Sequence, residues 1–329
     1  MQRFSAWKLV GITALCALTS TLPALHAAGS YPTRPIQVIV PYAPGGTTDL
    51  AGRIVAKAMG EALGQPAVVE NKPGAAGSVG VAQALRAAPD GYTMAVSGVS
   101  STMIHDLLGR KLPYDPKTDL HAVAYLGSSG MVVITSSDSA YKTLQDVIDA
   151  SKAKPGSVSF GSAGNVSPGH MASEYLASMA KIEMTHVPYT GDSALMSDLV
   201  SGRIDIATVG IASVFSHIKA GSIRTLAITS AERFSTFPEI PTVAEAGQLT
   251  GYEADIWNLL VLPKGTASEI DQKLNATINQ LMRTDEVKNS MLQIGFTARD
   301  MELADIQTFI QTERAKWGKV IKESNISLE

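Results

Sequence analysis

An apolar, strand-like run, Ile36-Gln-Val-Ile-Val40, feeds a glycine-rich turn, Pro41-Tyr-Ala-Pro-Gly-Gly-Thr-Thr-Asp49, which opens a helix-like run over 50–63. This succession limits the possible folds more than any other stretch of the chain. A turn from strand to helix leaves backbone N–H groups unpaired at the helix start. Glycine removes the side chains that would keep a ligand away from that backbone. The partial positive charge at a helix N-terminus then favours an anion. Thr47, Thr48 or Asp49 can cap the helix, and Asp49 is read as a cap because its carboxylate would repel an anion. The motif is equally compatible with a plain βα connection.

The pattern recurs. A strand over 67–70 leads into Lys72-Pro-Gly-Ala-Ala-Gly77 and a helix over 79–88; a strand over 92–96 ends in Ser97-Gly-Val-Ser-Ser-Thr102. Such alternation argues for a parallel sheet covered by helices. The apolar run over 121–135, broken at Gly127-Ser-Ser-Gly130, reads as a strand crossing between two lobes. Beyond it, a strand over 158–160 enters Gly161-Ser-Ala-Gly-Asn-Val-Ser-Pro-Gly169 and a helix over 170–180, repeating the first motif. Further strands are expected over 184–189, 203–209 and 223–229, and the tail over 268–324 is expected to be helical and to pack on the first lobe. Open α/β sheets bind ligands at the C-terminal ends of their strands, so two facing sets of loops could hold one small anion between them.

Residues 1–28 read as a secretory signal peptide: Arg3 and Lys8 precede an apolar core over 9–18 that is too short to span a bilayer. Leu15 precedes Cys16 where a lipoprotein cleavage motif wants a small residue, which argues against lipidation. Removing the leader takes away both basic residues and no acidic one, and the formal net charge moves from −3 to −5. The remainder holds no cysteine, which excludes disulfides, a thiol nucleophile and thiolate-bound zinc. No basic cluster suggests nucleic acid. About 300 residues suit two lobes better than one core, and the expected setting is the periplasm.

The motifs Pro41–Asp49, Glu70-Asn-Lys-Pro-Gly-Ala-Ala-Gly77, Pro89-Asp-Gly-Tyr-Thr93, Leu112-Pro-Tyr-Asp-Pro116, Val187-Pro-Tyr-Thr-Gly191, Gly202-Arg-Ile-Asp205 and Ile240-Pro-Thr-Val-Ala-Glu-Ala-Gly247 occur in that order. Together they resemble the Bug family, the extracytoplasmic solute receptors of tripartite tricarboxylate transporters, over essentially the whole chain after the leader. The resemblance implies a type II periplasmic-binding-protein fold: two doubly wound α/β lobes, a hinge and an interlobe ligand cleft. Lobe 1 would comprise 29–126 with 230–329, and lobe 2 would comprise 127–229. It implies a small carboxylate ligand, gripped from both lobes partly through water, and membrane subunits of a transporter as partners. It implies no cofactor. The expected state is a monomer. A sensor protein remains an alternative partner.

Carried onto this chain, the resemblance places Tyr42, Gly45, Gly46 and Thr47 in the first-lobe grip, with hydroxyls from Ser97, Ser100 and Ser101. Ser162, Ala163, Gly164 and Asn165 would form the second-lobe grip, and Tyr189 and Asp205 the far wall. Thr190 stands where the family often has lysine, and the loop over 97–101 differs from the usual Asn- or Thr-containing version. Both departures bear on ligand identity. Asp205 would suit a ligand ammonium or, alternatively, bond neighbouring backbone. Tyr42 and Tyr189 could present hydroxyls or pack at the lobe edges. Trp257 reads as hinge or core. His170 and Glu174 stand four apart, a spacing open to metal, but no third ligand lies near in sequence, and no metal site is assigned. Catalysis finds no support either. Pro44-Gly-Gly-Thr47 lacks the Gly-Lys-Ser/Thr of a P-loop, and Gly161-Ser-Ala-Gly164 lacks a nucleophile elbow. A periplasmic hydrolase or isomerase is the remaining enzyme alternative.

Overall fold

The computed structural model describes residues 31–324; the expected leader, 1–28, lies outside them. The opening run forms β1 (Ile36–Val40), followed by α1 (Thr47–Leu63), β2 (Ala67–Asn71), α2 (Ser78–Leu85) and β3 (Thr93–Gly98). β1 pairs in parallel with β2 and β3. After β3 the chain winds into a wide helical turn, Ser100–Ile104, and then a short α3 (His105–Leu107). β4 (Leu120–Ser136) is one 17-residue strand, running unbroken through 127–130. Next come α4 (Leu144–Ala153), β5 (Ser159–Ser162), α5 (Pro168–Ala180), β6 (Thr185–Pro188), α6 (Asp192–Val200), β7 (Ile206–Gly210), α7 (Ile211–Ala220) and β8 (Ile223–Ile228). A short α8 (Val243–Ala246) precedes β9 (Asp255–Pro263), and α9 (Ser268–Arg283), α10 (Asp285–Gln293) and α11 (Leu303–Ser324) complete the chain.

The strand order explains the two lobes. In the first, β9 enters antiparallel between β3 and β4, giving β2-β1-β3-β9-β4. In the second, the far half of β4 enters antiparallel between β7 and β8, giving β6-β5-β7-β4-β8. Each lobe is therefore three parallel strands completed by one returning strand and one more beyond it, a structural repeat with no repeat in sequence. β4 belongs to both. Its residues Leu120–Gly130 pair β9 and its residues Met131–Ser136 pair β7 and β8.

Tertiary pairing makes β4 continuous where its composition suggests a break. Gly127 is needed for close approach. It has a φ of +111°, and a Cβ there would sit 2.0 Å from the Thr297 carbonyl oxygen. Ser128 and Thr297 exchange backbone hydrogen bonds beside it, at 3.1 and 2.7 Å. A second crossing lies at Thr229, whose buried hydroxyl accepts from Met131 N–H at 2.8 Å and donates to Ala254 O at 2.7 Å.

β9 is buried from Trp257 to Pro263, as a central strand covered on both faces must be. Trp257 is core: its indole N–H donates to Glu313 Oε2 at 2.7 Å, and Trp317 donates to the same oxygen at 3.2 Å. The tail departs partly from expectation. α9 and α10 pack on α1 of the first lobe, but α11 also packs on α5 of the second. Among the described residues, no helix is long and apolar enough to cross a membrane.

Candidate functional site

The strand C-termini of the two lobes converge on a cavity of about 150 Å³ lined by Tyr42, Gly46, Thr47, Thr48, Gly98, Val99, Pro168, Asp192, Gly210, Ser213, Ile256 and Asn258. The first-lobe wall comes from the start of α1, the end of β3 and the middle of β9. The second-lobe wall comes from the first turns of α5, α6 and α7. The volume lies below the roughly 300–1,000 Å³ typical of drug-sized ligands, which leaves room only for a small molecule. A larger groove, about 700 Å³, runs outside the first lobe past Arg53, Lys57 and Glu61. It follows the middle and end of α1 and the edge strand β2, where no helix N-terminus points in, so the interlobe cavity is the better anion site.

Of the four helices whose first turns line the cavity, only α5 is capped by a side chain, that of Ser167. α1, α6 and α7 begin at Gly46, Gly191 and Gly210, and no side chain caps any of them. Their first N–H groups remain available to a ligand. Away from the cavity, α4, α8 and α10 are closed by the side chains of Thr143, Thr242 and Thr284, whereas α2 and α9 are uncapped. Three helix dipoles thus present their positive ends to one small space.

Asn258 adds a side-chain donor. It is fully buried on β9, and its Nδ2 has no hydrogen-bond partner, while Oδ1 lies 3.4 Å from the Thr48 hydroxyl. An unpaired buried amide costs about 1–3 kcal/mol, a cost that a bound acceptor would offset. The lobes also touch here: a Cβ on Gly210 would lie 3.2 Å from Thr47 Oγ1.

Asp49 points away from the cavity. Its carboxylate accepts from Gly45 N–H at 2.9 Å, Arg53 Nε at 3.0 Å and Asn71 Nδ2 at 2.7 Å. Burial alone would raise its pKa, but these hydrogen bonds and the Arg53 charge outweigh burial and hold it below the ordinary range. The carboxylate stiffens the turn without opposing an anion in the cavity.

Of the sequence-derived candidates, Tyr42, Gly46 and Thr47 line the cavity. Tyr42 is half-buried, donates to Ala76 O at 3.3 Å, and has its pKa pushed up to about 12 by burial. Gly45 is exposed at the turn. Ser97 and Ser101 are turned inward, their hydroxyls 2.9 Å apart. Ser100 reaches across the lobes and donates to Val166 O at 3.2 Å, so the loop after β3 serves as a latch. Ser162 is buried and bonded to Gly164 O and His186, and Ala163 and Asn165 are exposed on the following loop. Tyr189 donates to Asp198 at 2.9 Å.

Asp205 precedes β7, whereas the cavity lies at that strand's other end, Gly210. Its carboxylate accepts from Ser159 N–H and Oγ at 2.8 and 2.6 Å, which is the backbone-bonding alternative. Asp205→Ala is therefore expected to lower the melting temperature through the lost Ser159 bonds, worth about 1–2 kcal/mol, while ligand affinity stays unchanged by calorimetry.

Asn258, Thr48, Gly210, Asp192 and Ser213 escaped the sequence reading. Asn258 did leave a signal, as the single amide in the apolar run Ile256-Trp-Asn-Leu-Leu-Val261. Chain separation also hides a histidine pair. His170 and His186 stack 3.8 Å apart, and His170 Nδ1 accepts from Val166 N–H at 3.0 Å. Burial, and then the His170 charge, push His186 down to about 4 from 6.5. A depressed histidine contributes stability above its unfolded pKa and loses it as pH falls through the folded value. The melting temperature should therefore drop between pH 6.5 and 4. His186→Phe should drop less over that window; equal drops would contradict the assignment.

Two α/β lobes joined by shared strands around a small interlobe cavity define a two-lobed solute-binding protein. The family model described as the tripartite tricarboxylate transporter family receptor matches residues 51–326, and the chain belongs to that family. Protein BugT of Bordetella pertussis is 32% identical over 323 residues, covering 98% of this chain and 99% of that one. Among solved structures, R. palustris Rpa4515 with adipate matches with a TM-score of 0.83 at 30% identity, covering 90% of this chain and 99% of that one. MatC from Rhodopseudomonas palustris with bound malate matches at 0.77 and 28%, covering 88% and 100%. Family membership makes this chain an extracytoplasmic receptor.

Proposed function

We propose that the chain captures a small organic carboxylate between its lobes and delivers it to the membrane subunits of a tripartite transporter. The unpaired Nδ2 of fully buried Asn258, a residue on the wall of a cavity onto which the uncapped starts of α1, α6 and α7 open, carries this reading. The adipate and malate held by the two structural relatives agree with it. The carboxylate would accept from Asn258 and from the free N–H groups at the start of α1, directly or through water. Lobe 1, residues 29–126 with 230–329, would bind first. Lobe 2, residues 127–229, would then close about the crossings at Gly127 and Thr229, adding the N–H groups of α6 and α7 and stabilising the shut state. The leader would direct export to the periplasm, where the protein acts as a monomer and without catalysis.

A thermal-shift screen against dicarboxylates, citrate, acidic amino acids, nicotinate and benzoates tests the reading. A ligand bound only by the folded state raises the melting temperature with concentration. At least one carboxylate should do so. A panel without effect, on protein first freed of small molecules by unfolding and refolding, would refute carboxylate capture.

A further inference from the structure

We infer that Asp192 selects for a ligand carrying an ammonium group besides its carboxylate, so that the physiological solute is a small zwitterionic amino acid. The inference rests on the carboxylate-binding reading above and names its substrate class. Among the residues lining the cavity, Asp192 is the one carboxylate, and no lysine, arginine or histidine accompanies it. It is the first residue of α6, on the second-lobe wall, and is half-buried. Ser213 Oγ, from α7, donates to its Oδ2 at 2.6 Å. That bond fixes the carboxylate and leaves Oδ1 as an acceptor.

The two walls therefore differ in charge. The first lobe offers donors, Asn258 Nδ2 and the start of α1. The second lobe adds, beside the free N–H groups at the starts of α6 and α7, the negative charge of Asp192. A dicarboxylate filling the cavity would bring its second anion against Asp192 with no cation between them. A ligand with a carboxylate at one end and an ammonium at the other satisfies both walls at once, and each end is held by a different lobe. Such a ligand bonds fully only when the lobes are shut, which couples amine recognition to closure. The role first considered for Asp205 thus falls to a residue that reaches the cavity.

Calorimetric titration with length-matched probes tests this: butanoate, 4-aminobutanoate and glutarate, and propanoate, β-alanine, L-alanine and succinate. An ammonium paired with a fixed carboxylate should give an amino acid about 10- to 100-fold tighter binding than its plain or dicarboxylate analogue. Asp192→Asn keeps an acceptor for Ser213 and should abolish that preference while tightening the dicarboxylates. Asp192→Ser, a helix-compatible replacement, should do the same, and the ligand-free melting temperatures confirm folding. Dicarboxylates that bind wild type as tightly as the amino acids, or an amino-acid preference that survives both substitutions, would overturn the inference and leave carboxylate capture standing. If these probes and the wider carboxylate panel are all inert, the reading beneath it fails too.

Discussion

Asn258→Leu is expected to weaken carboxylate binding by about 10- to 100-fold, the worth of a hydrogen bond to a charged group, while leaving the ligand-free protein as stable as wild type or more so. The two effects have opposite signs for one reason. Asn258 is fully buried on β9, its Nδ2 has no partner, and its Oδ1 makes one long contact with Thr48. Leucine has nearly the same size and carries no polar atom to leave unpaired. Removing the orphan recovers up to about 1–3 kcal/mol in the empty protein, set against the small loss of the Thr48 contact. A purely structural asparagine would behave otherwise: its loss would lower the melting temperature and leave calorimetric affinity intact.

The largest loss of stability is expected at Gly127. Gly127→Ala places a Cβ 2.0 Å from the Thr297 carbonyl oxygen in a residue at φ +111°. Neither β4 nor the segment at Thr297 can retreat without breaking the paired hydrogen bonds between Ser128 and Thr297. Backbone clash and strained conformation together should cost about 3–5 kcal/mol, a fall on the order of 10 °C in melting temperature for a chain of this length. Gly265→Ala separates the two contributions. It has a φ of +89° but open space around its Cβ, so it should cost only about 1 kcal/mol. Equal destabilisation by the two substitutions would show that conformation, and not the approach to Thr297, makes Gly127 necessary.

Both residues show what a linear sequence conceals. The strand–glycine–helix succession at 36–63 was legible because it is local: strand periodicity, turn chemistry and helix start lie within thirty residues. The crossing strand was legible from the length of its apolar run. Its continuity was not, because the partners that hold 127–130 extended come from β9 and from Thr297, well over a hundred residues away. The site divided along the same line. Gly46 and Thr47 follow their strand directly and could be placed at its C-terminal end. Asp205 was carried onto the cleft wall by the family resemblance; it precedes β7, which begins at Ile206 and meets the cavity at its other end, Gly210. Asn258 comes from an antiparallel strand inserted late, whose middle, and not its end, faces the cavity. The rule that ligands sit at strand C-termini cannot find such a residue.

The loop serines have a related lesson. Gly/Ser loops suggest hydroxyls offered to a ligand, yet Ser97 and Ser101 bond within their own lobe and Ser100 reaches Val166 on the other. Small polar residues here let two lobes approach without leaving buried groups unpaired. On the proposed reading the anion is left to backbone N–H groups and one amide, a set of neutral donors that carries little discrimination of its own. Discrimination then falls to the opposite wall.

A crystal structure of the complex with the carboxylate giving the largest thermal shift would test capture between the lobes most directly. The expected result is a carboxylate in the cavity between α1 and α7, accepting from Asn258 Nδ2 and from N–H groups at the start of α1, directly or through one water. A carboxylate bound instead in the outer groove beside Arg53 and Lys57, with Asn258 Nδ2 still unpaired, would contradict it.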